Sequence, residues 1–334
     1  MVDLMRFAPM SVGELLDDWF ESDALKGALG AAGVMHLHQG PRSGGTAFVL
    51  LHHHVGSPPG VFRPPRSNVS HVLAALPGIE IRTGADAKVA QIAVHGGHVI
   101  GVVLENGKEI GVPVVVSAEA PRRTLFELLG PGWLDPEFVR AVRNLRSRGV
   151  TAQLTLRLNR EPGFGTLAVA PSLTYLERAY DGAKYGWVSE SPYLEARYDA
   201  SQADDVHELN VHVQYVPYAL ADGAWDDARR EQLGDMCVAV LAEQVPELRD
   251  GVVERTVLTP TDLVERYGWP EGQPYHAELA LDQALYMRPI PQLAQYRTPV
   301  AGLYLCGPAT HPGGGVAGAA GANAAGIIRS LQER

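Results

Sequence analysis

The sequence is poor in cysteine: Cys237 and Cys306 are its only thiols in 334 residues. Two thiols cannot build a disulfide framework, so a reducing compartment is the default. Both read as small buried apolar residues. Basic charge is also short, with 28 Lys and Arg against 38 Asp and Glu and a net charge of −10. No basic run occurs, which argues against nucleic acid as a partner. Nowhere do eighteen apolar residues follow one another, so no transmembrane helix is expected, and contact with a membrane would be peripheral at most. The opening MVDLMRFAPMSVGELLDDWF has early acids and no long apolar run, unlike a signal peptide. The expected location is the cytoplasm. No internal repeat is visible.

The remainder is a globular composition. Hydrophobic residues make up 46% and charged residues 20%, enough for two ordinary domains. Ser11 and Glu14 read as a capping box opening a helix. A second helix is expected over 23–34, with Gly27, Gly30 and Gly33 every third residue. That spacing is G-x-x-G-x-x-G, which suits close helix packing better than a phosphate loop. Residues 46–55 read as a strand or a helix. A loop is expected over 57–67 and a short helix over 70–76. A three-stranded meander follows, with turns at Gly96–Gly97 and Asn106–Gly107, where both central residues can take positive φ. Val112–Ser117 reads as a buried parallel strand. Helices are expected over 122–129 and 136–145, a strand over 151–158, and further strands within 163–220. Of these, HELNVHVQYV alternates most cleanly, with Leu209, Val211, Val213 and Tyr215 on one face. A long helix over 222–245 and a Thr-capped helix from Thr259 come next. A strand at 303–306, a glycine-rich turn and a small-residue helix close the chain. The fold class is mixed α/β, in two domains that interrupt each other.

The richest stretch is LYLCGPATHPGGGVAGAAGANAAGIIRSL. Three glycines after a strand and before a helix would let a flat or anionic ligand touch bare backbone. A tight packing joint explains the same residues equally well. His36, His38 and His52–His54 could suggest a metal, but no carboxylate or cysteine stands at ligand spacing, so interior histidines are expected and no metal. No Ser/His/Asp nucleophile arrangement is visible.

The same stretch closely resembles the C-terminal flavin motif of phytoene-desaturase-like FAD oxidoreductases, in the branch that includes pyridine nucleotide-disulfide oxidoreductase domain-containing protein 2. The likeness extends to TPTDLVERYG, AELALDQALYMRPIPQLAQYRTPVAGLYLCG, FAPMSVGELLDDWFESDALKGALG, GTAFVLLHHHVG and VVVSAEAPRRTLFELL, nearly the whole chain. It implies FAD as cofactor, with Gly307, Thr310, His311, Pro312, Gly313, Gly314, Gly315 and Val316 at the flavin ring and the following helix pointing its N-terminus at the ring's N1–C2=O edge. It also implies that Tyr275, His276 and Arg288 line the flavin or substrate side. For Arg288 a salt bridge to an acid such as Glu278 is the other reading, and His311 would either bond the flavin or cap the helix. The implied architecture is a partial Rossmann-like FAD-binding domain interleaved with a substrate domain of antiparallel sheet and helices. Residues 1–76 and 131–298 would belong to the substrate domain, and 77–130 and 299–334 to the FAD domain.

Such proteins begin with a strand, a G-x-G-x-x-G turn and a helix that hold the pyrophosphate, and no such unit opens this chain. The expectation is therefore part of an oxidoreductase that acts on C–C bonds of an apolar small molecule. A separate chain carrying the G-x-G-x-x-G half, or self-association, would complete it. A non-catalytic binding protein derived from such an enzyme is the second reading.

Overall fold

Four helices lead the chain: α1 (Val2–Phe7), α2 (Val12–Trp19), α3 (Asp23–Val34) and α4 (Thr46–His54). The computed structural model describes residues 2–55, 76–199, 207–315 and 318–333. The loop and short helix expected over 57–76 therefore fall almost wholly outside the described residues. Ser11 opens α2 with the expected capping box, its Oγ accepting from the Glu14 amide at 3.0 Å while the Glu14 carboxylate accepts from the Ser11 amide at 3.0 Å. The α3 glycines are packing residues. A Cβ at Gly27 would lie 2.1 Å from the Ala170 carbonyl oxygen, and one at Gly33 2.9 Å from the Val12 side chain. Because 46–54 is a helix, His52 and His54 do not share a face.

The meander comprises β1 (Val89–His95), β2 (His98–Leu104) and β3 (Glu109–Gly111), antiparallel in that order. Gly96 and Gly97 both take positive φ, +56° and +80°, as a two-residue turn requires. At the second turn only Gly107 does, at +82°. That connection is a longer loop, in which the Gly107 amide donates to Leu104 and the Leu104 amide to Lys108. β4 (Val115–Ser117) follows, and is shorter and more open than expected, with Val116 43% exposed. A π-helical turn at Arg123–Leu128 replaces the expected α-helix, and α5 (Pro136–Arg143) follows it.

The largest sheet takes β5 (Thr151–Leu158), β6 (Thr166–Val169), β7 (Tyr193–Tyr198), β8 (Glu208–Gln214) and β9 (Val252–Leu258) in the order β6-β7-β8-β5-β9, all antiparallel. Leu209, Val211 and Val213 all turn into its core, where Leu154 and Leu156 meet Leu233, Cys237 and Leu241 of α7 (Asp227–Gln244). A helix, α6 (Leu173–Lys184), stands where only strands were expected. Its capped start at Ser172 and its inward Leu173, Leu176, Ala179 and Ala183 pack it on the N-terminal helices. Beyond α8 (Pro260–Tyr267), the chain enters β10 (Leu303–Leu305) and ends in α9 (Ala319–Gln332). β10 pairs in parallel with β4, Tyr304 opposite Val116. A second core packs this pair and the meander against the π-turn and α5.

The mixed α/β class is as expected. Burial differs between the two thiols: Cys237 is sealed and its thiol is pushed up to about 12, whereas Cys306 is half-buried. Among the described residues no helix is long and apolar enough to cross a membrane.

Candidate active site

β10 delivers the chain to a tightly held turn. A Cβ at Gly307 would sit 2.3 Å from the Ala118 carbonyl oxygen at the exit of β4, so the two parallel strands meet only because residue 307 has no side chain. Thr310 is buried and folds back, its amide and hydroxyl both donating to the Gly307 carbonyl, at 2.9 and 2.7 Å. The His311 carbonyl accepts from the Tyr296 hydroxyl at 2.8 Å, and Asn323 of α9 donates to that hydroxyl at 2.9 Å. Tyr296 thus ties the turn to the last helix. Pro312 is half-buried.

Gly313, Gly314 and Gly315 follow with φ of +91°, +63° and +69°. Their surroundings differ. A Cβ on Gly313 would be 2.2 Å from Arg288 Nε, and one on Gly314 about 2.9 Å from the Tyr275 ring, whereas one on Gly315 would meet no atom of the described residues within 4 Å. Two glycines are therefore closed by protein, and the approach to the turn is open at the third. Val316 lies outside the described residues. The helix starts only at Ala319, with Gly318 as its cap, so the glycines precede it instead of forming its first turn. His311 is correspondingly no helix cap, and its Nδ1 is sealed without a partner.

Arg288 lies behind the turn, fully buried. Its two terminal nitrogens donate to the carbonyls of Glu278, Gln283, Tyr275, Ala277 and Pro308 at 2.8–3.4 Å. The sequence reading of a salt bridge to Glu278 is corrected here: only the Glu278 carbonyl is used. Its carboxylate is held by Arg148 at 2.6 Å and Arg146 at 3.6 Å. Arg288 is equally not a lining residue, since none of it is open. Burial pulls the guanidinium down to about 10, and Nε has no partner. A buried cation with no carboxylate opposite is costly, and its field falls on whatever lies across the turn.

Tyr275 and His276 are brought to the same place. Tyr275 covers Gly314 and is pushed up to about 12 by burial. His276 takes a left-handed backbone, φ +57°, and its ring is pulled down to about 4, chiefly by burial and then by Arg288. The α4 histidines close the far side: His52 Nε2 donates to the Gly313 carbonyl at 3.3 Å, and His53 Nδ1 donates to the Ala32 carbonyl at 2.8 Å. His36, also left-handed at φ +59°, stands edge-on to both Tyr275 and His212, at 4.9 and 4.8 Å between ring centres. The sequence reading of interior histidines describes His36, His38, His52 and His53, all partly buried, but not His54, which is exposed. It did not single out His212, although that side chain falls on the polar face of the alternating β8 strand. Among the described residues no group of three His, Cys, Asp or Glu could hold a metal.

An isoalloxazine edge fits these residues. The uncompensated Arg288 charge suits the electron-rich side of the ring, and Gly315 leaves space for a flat group. FAD supplies two-electron redox chemistry when bound; this chain supplies shape and field.

Residues 20–328 match the family of flavin containing amine oxidoreductases. Pyridine nucleotide-disulfide oxidoreductase domain-containing protein 2 of Rattus norvegicus is 33% identical over 352 aligned residues, covering 96% of this chain and 60% of the rat protein. The chain thus spans about three-fifths of that relative. A triple mutant of putrescine oxidase with redesigned cofactor binding superposes with a TM-score of 0.59 at 14% identity, covering 99% of this chain and 70% of that one. Cyclohexylamine oxidase from Brevibacterium oxydans IH-35A gives 0.52 at 14%, covering 98% and 69%. At those identities the structures speak for fold alone. By sequence across most of its length, this chain belongs to the flavin-containing amine oxidoreductase family, with FAD as its cofactor.

Proposed function

We propose that this chain forms the ring side and the substrate side of an FAD-dependent oxidoreductase that dehydrogenates, or in reverse saturates, a C–C bond in a largely apolar small molecule. A second segment carrying a strand–G-x-G-x-x-G–helix unit binds the pyrophosphate end and completes the enzyme. In this reading 77–130 and 299–334 build the flavin side, and 1–76 and 131–298 the substrate side.

The observation that carries the reading is the buried Arg288 guanidinium, with no carboxylate partner among the described residues, beneath a left-handed glycine turn open at Gly315. Such a cation favours electron density across the turn. Tyr275, His52 and His53 wall the site beside Gly313 and Gly314. His36, His53 and His276 are all held below their usual range by burial, so at neutral pH they carry no charge into the site. Hydride chemistry asks the protein mainly for position, and these residues supply it.

The test is co-expression of this chain with the G-x-G-x-x-G-bearing segment of a relative, followed by size-exclusion chromatography and a flavin absorbance spectrum. The expected result is a complex that retains FAD, while the chain alone retains little. A complex that forms without flavin would overturn the oxidoreductase reading and favour a binding protein. A yellow protein with near-stoichiometric FAD from the chain alone would overturn the need for a second segment.

A further inference from the structure

The walls of this site hold unused hydrogen-bonding capacity of one kind. His53 Nδ1 donates to the Ala32 carbonyl at 2.8 Å, which fixes the proton on that nitrogen because a carbonyl oxygen only accepts. Burial keeps the ring neutral. Nε2 is therefore a lone pair, sealed from solvent, with no partner among the described residues. His212 is fixed by the same logic. The Gln214 amide nitrogen donates to the Val34 and Leu37 carbonyls, so its oxygen faces His212 Nε2 at 3.2 Å, and Nε2 carries the proton. Between these two rings stands His36, its Nδ1 also sealed and unpartnered. Tyr275 joins His36 and His53 to Gly314.

The charges nearby decide what would bind. The groups that act on His36, His53, Tyr275 and His276 are other histidines and the Arg288 cation. Glu195 acts on His212, on the far side of the cluster, and its carboxylate already accepts from the Tyr193 hydroxyl and from Arg197. An ammonium entering beside His53 would meet the buried Arg288 charge, while the Glu195 carboxylate is already taken by Tyr193 and Arg197, at the cost of its own hydration. A purely apolar group would leave the His53 lone pair unpaired, which is the expensive state for a buried acceptor. A hydroxyl satisfies the lone pair without bringing charge. His36 and His276 both take left-handed φ, a conformation that His tolerates better than most residues other than glycine.

We infer that His53, flanked by His36 and Tyr275, anchors one hydroxyl of an otherwise apolar substrate beside the Gly313–Gly315 turn. The inference rests on the proposed function for calling that ligand a substrate; the anchor itself does not require turnover. It separates this site from one built for a cationic amine.

The experiment uses the full chain without cofactor, labelled with 15N-histidine and titrated with 1-hexanol, hexylammonium chloride or hexane-saturated buffer. Hexanol is expected to move the His53 Nε2 resonance and to bind at least roughly tenfold more tightly than hexylammonium, about the discrimination of one well-made hydrogen bond. His53→Phe should abolish that preference. Should that variant not fold, the wild-type titration decides alone. An unmoved His53 resonance, or hexylammonium binding as tightly as hexanol, overturns the anchor. Hexanol binding in a chain whose completed complex never takes up flavin supports the anchor and overturns the oxidoreductase reading, so the two fail separately.

Discussion

The five-stranded sheet and the glycine turn are built on opposite terms. In the sheet, strands β5 and β8 match residue for residue from Thr151–Gln214 to Arg157–Glu208, and the face against α7 is closed by leucine and valine. Around the turn the chain leaves polar atoms unpaired. Of the seven sealed side-chain nitrogens without a partner among the described residues, five (on His36, His53, His276, Arg288 and His311) surround Gly313–Gly315 and Tyr275, and none lies on a strand of the large sheet. Each such atom costs about 1–3 kcal/mol. The sheet is the part that stabilises, and the turn is the part that gives up stability to hold groups ready for a ligand.

That contrast breaks most visibly in the sheet. Leu156→Ala should cost about 2–5 kcal/mol, because Leu156 is fully buried on the interior strand β5. Urea denaturation measures it, and hexanol binding to the remaining folded protein should be unchanged.

Acid should attack the other region. His276, pulled from 6.5 to about 4 in the folded chain, binds a proton more readily once unfolded. Its contribution is therefore intact above pH 6.5 and is lost as pH falls toward 4, by about 3 kcal/mol at the lower end. His36, His52 and His53 shift the same way and add to the loss. Denaturation midpoints between pH 7 and pH 4 should fall steadily, and a flat profile would mean that these rings are hydrated.

Glycine substitutions sharpen the comparison at smaller scale. Gly27→Ala should cost about 1–3 kcal/mol by overpacking, since its Cβ would strike the Ala170 carbonyl. Gly321→Ala, in α9 where a Cβ meets nothing, should gain about 0.5–1 kcal/mol. Thermal melts of both, compared with wild type, check the signs.

Local signals were legible in the sequence. The Ser11–Glu14 and Thr259–Asp262 caps, the alternation over 151–158 and the Gly96–Gly97 turn each depend on residues a few positions apart. α6 was missed although Ser172, Leu173, Leu176 and Ala179 carry a cap and a helical stripe, because strands flank it in sequence. The turn itself was visible in its glycines, but not that Arg288 fills the space beside Gly313 and Tyr275 the space beside Gly314. The meeting of His36, His53 and His212 joins segments from α3's end, α4 and β8, and no local pattern encodes it. Nor does sequence distinguish an arginine bonded to the Glu278 carboxylate from one bonded to its carbonyl.

Gly315→Asn tests the central claim most directly. Asparagine tolerates the left-handed backbone at this position, and its Cβ would meet no atom of the described residues within 4 Å. FAD titration of the two-segment complex, followed by quenching of flavin fluorescence, compares wild type with the variant, and the melting temperature of the flavin-free chain controls for folding. If the flavin ring approaches at Gly315, the variant should bind FAD at least roughly tenfold more weakly while melting as wild type does. FAD binding equal to wild type would show the three glycines to be a packing joint and would contradict the account.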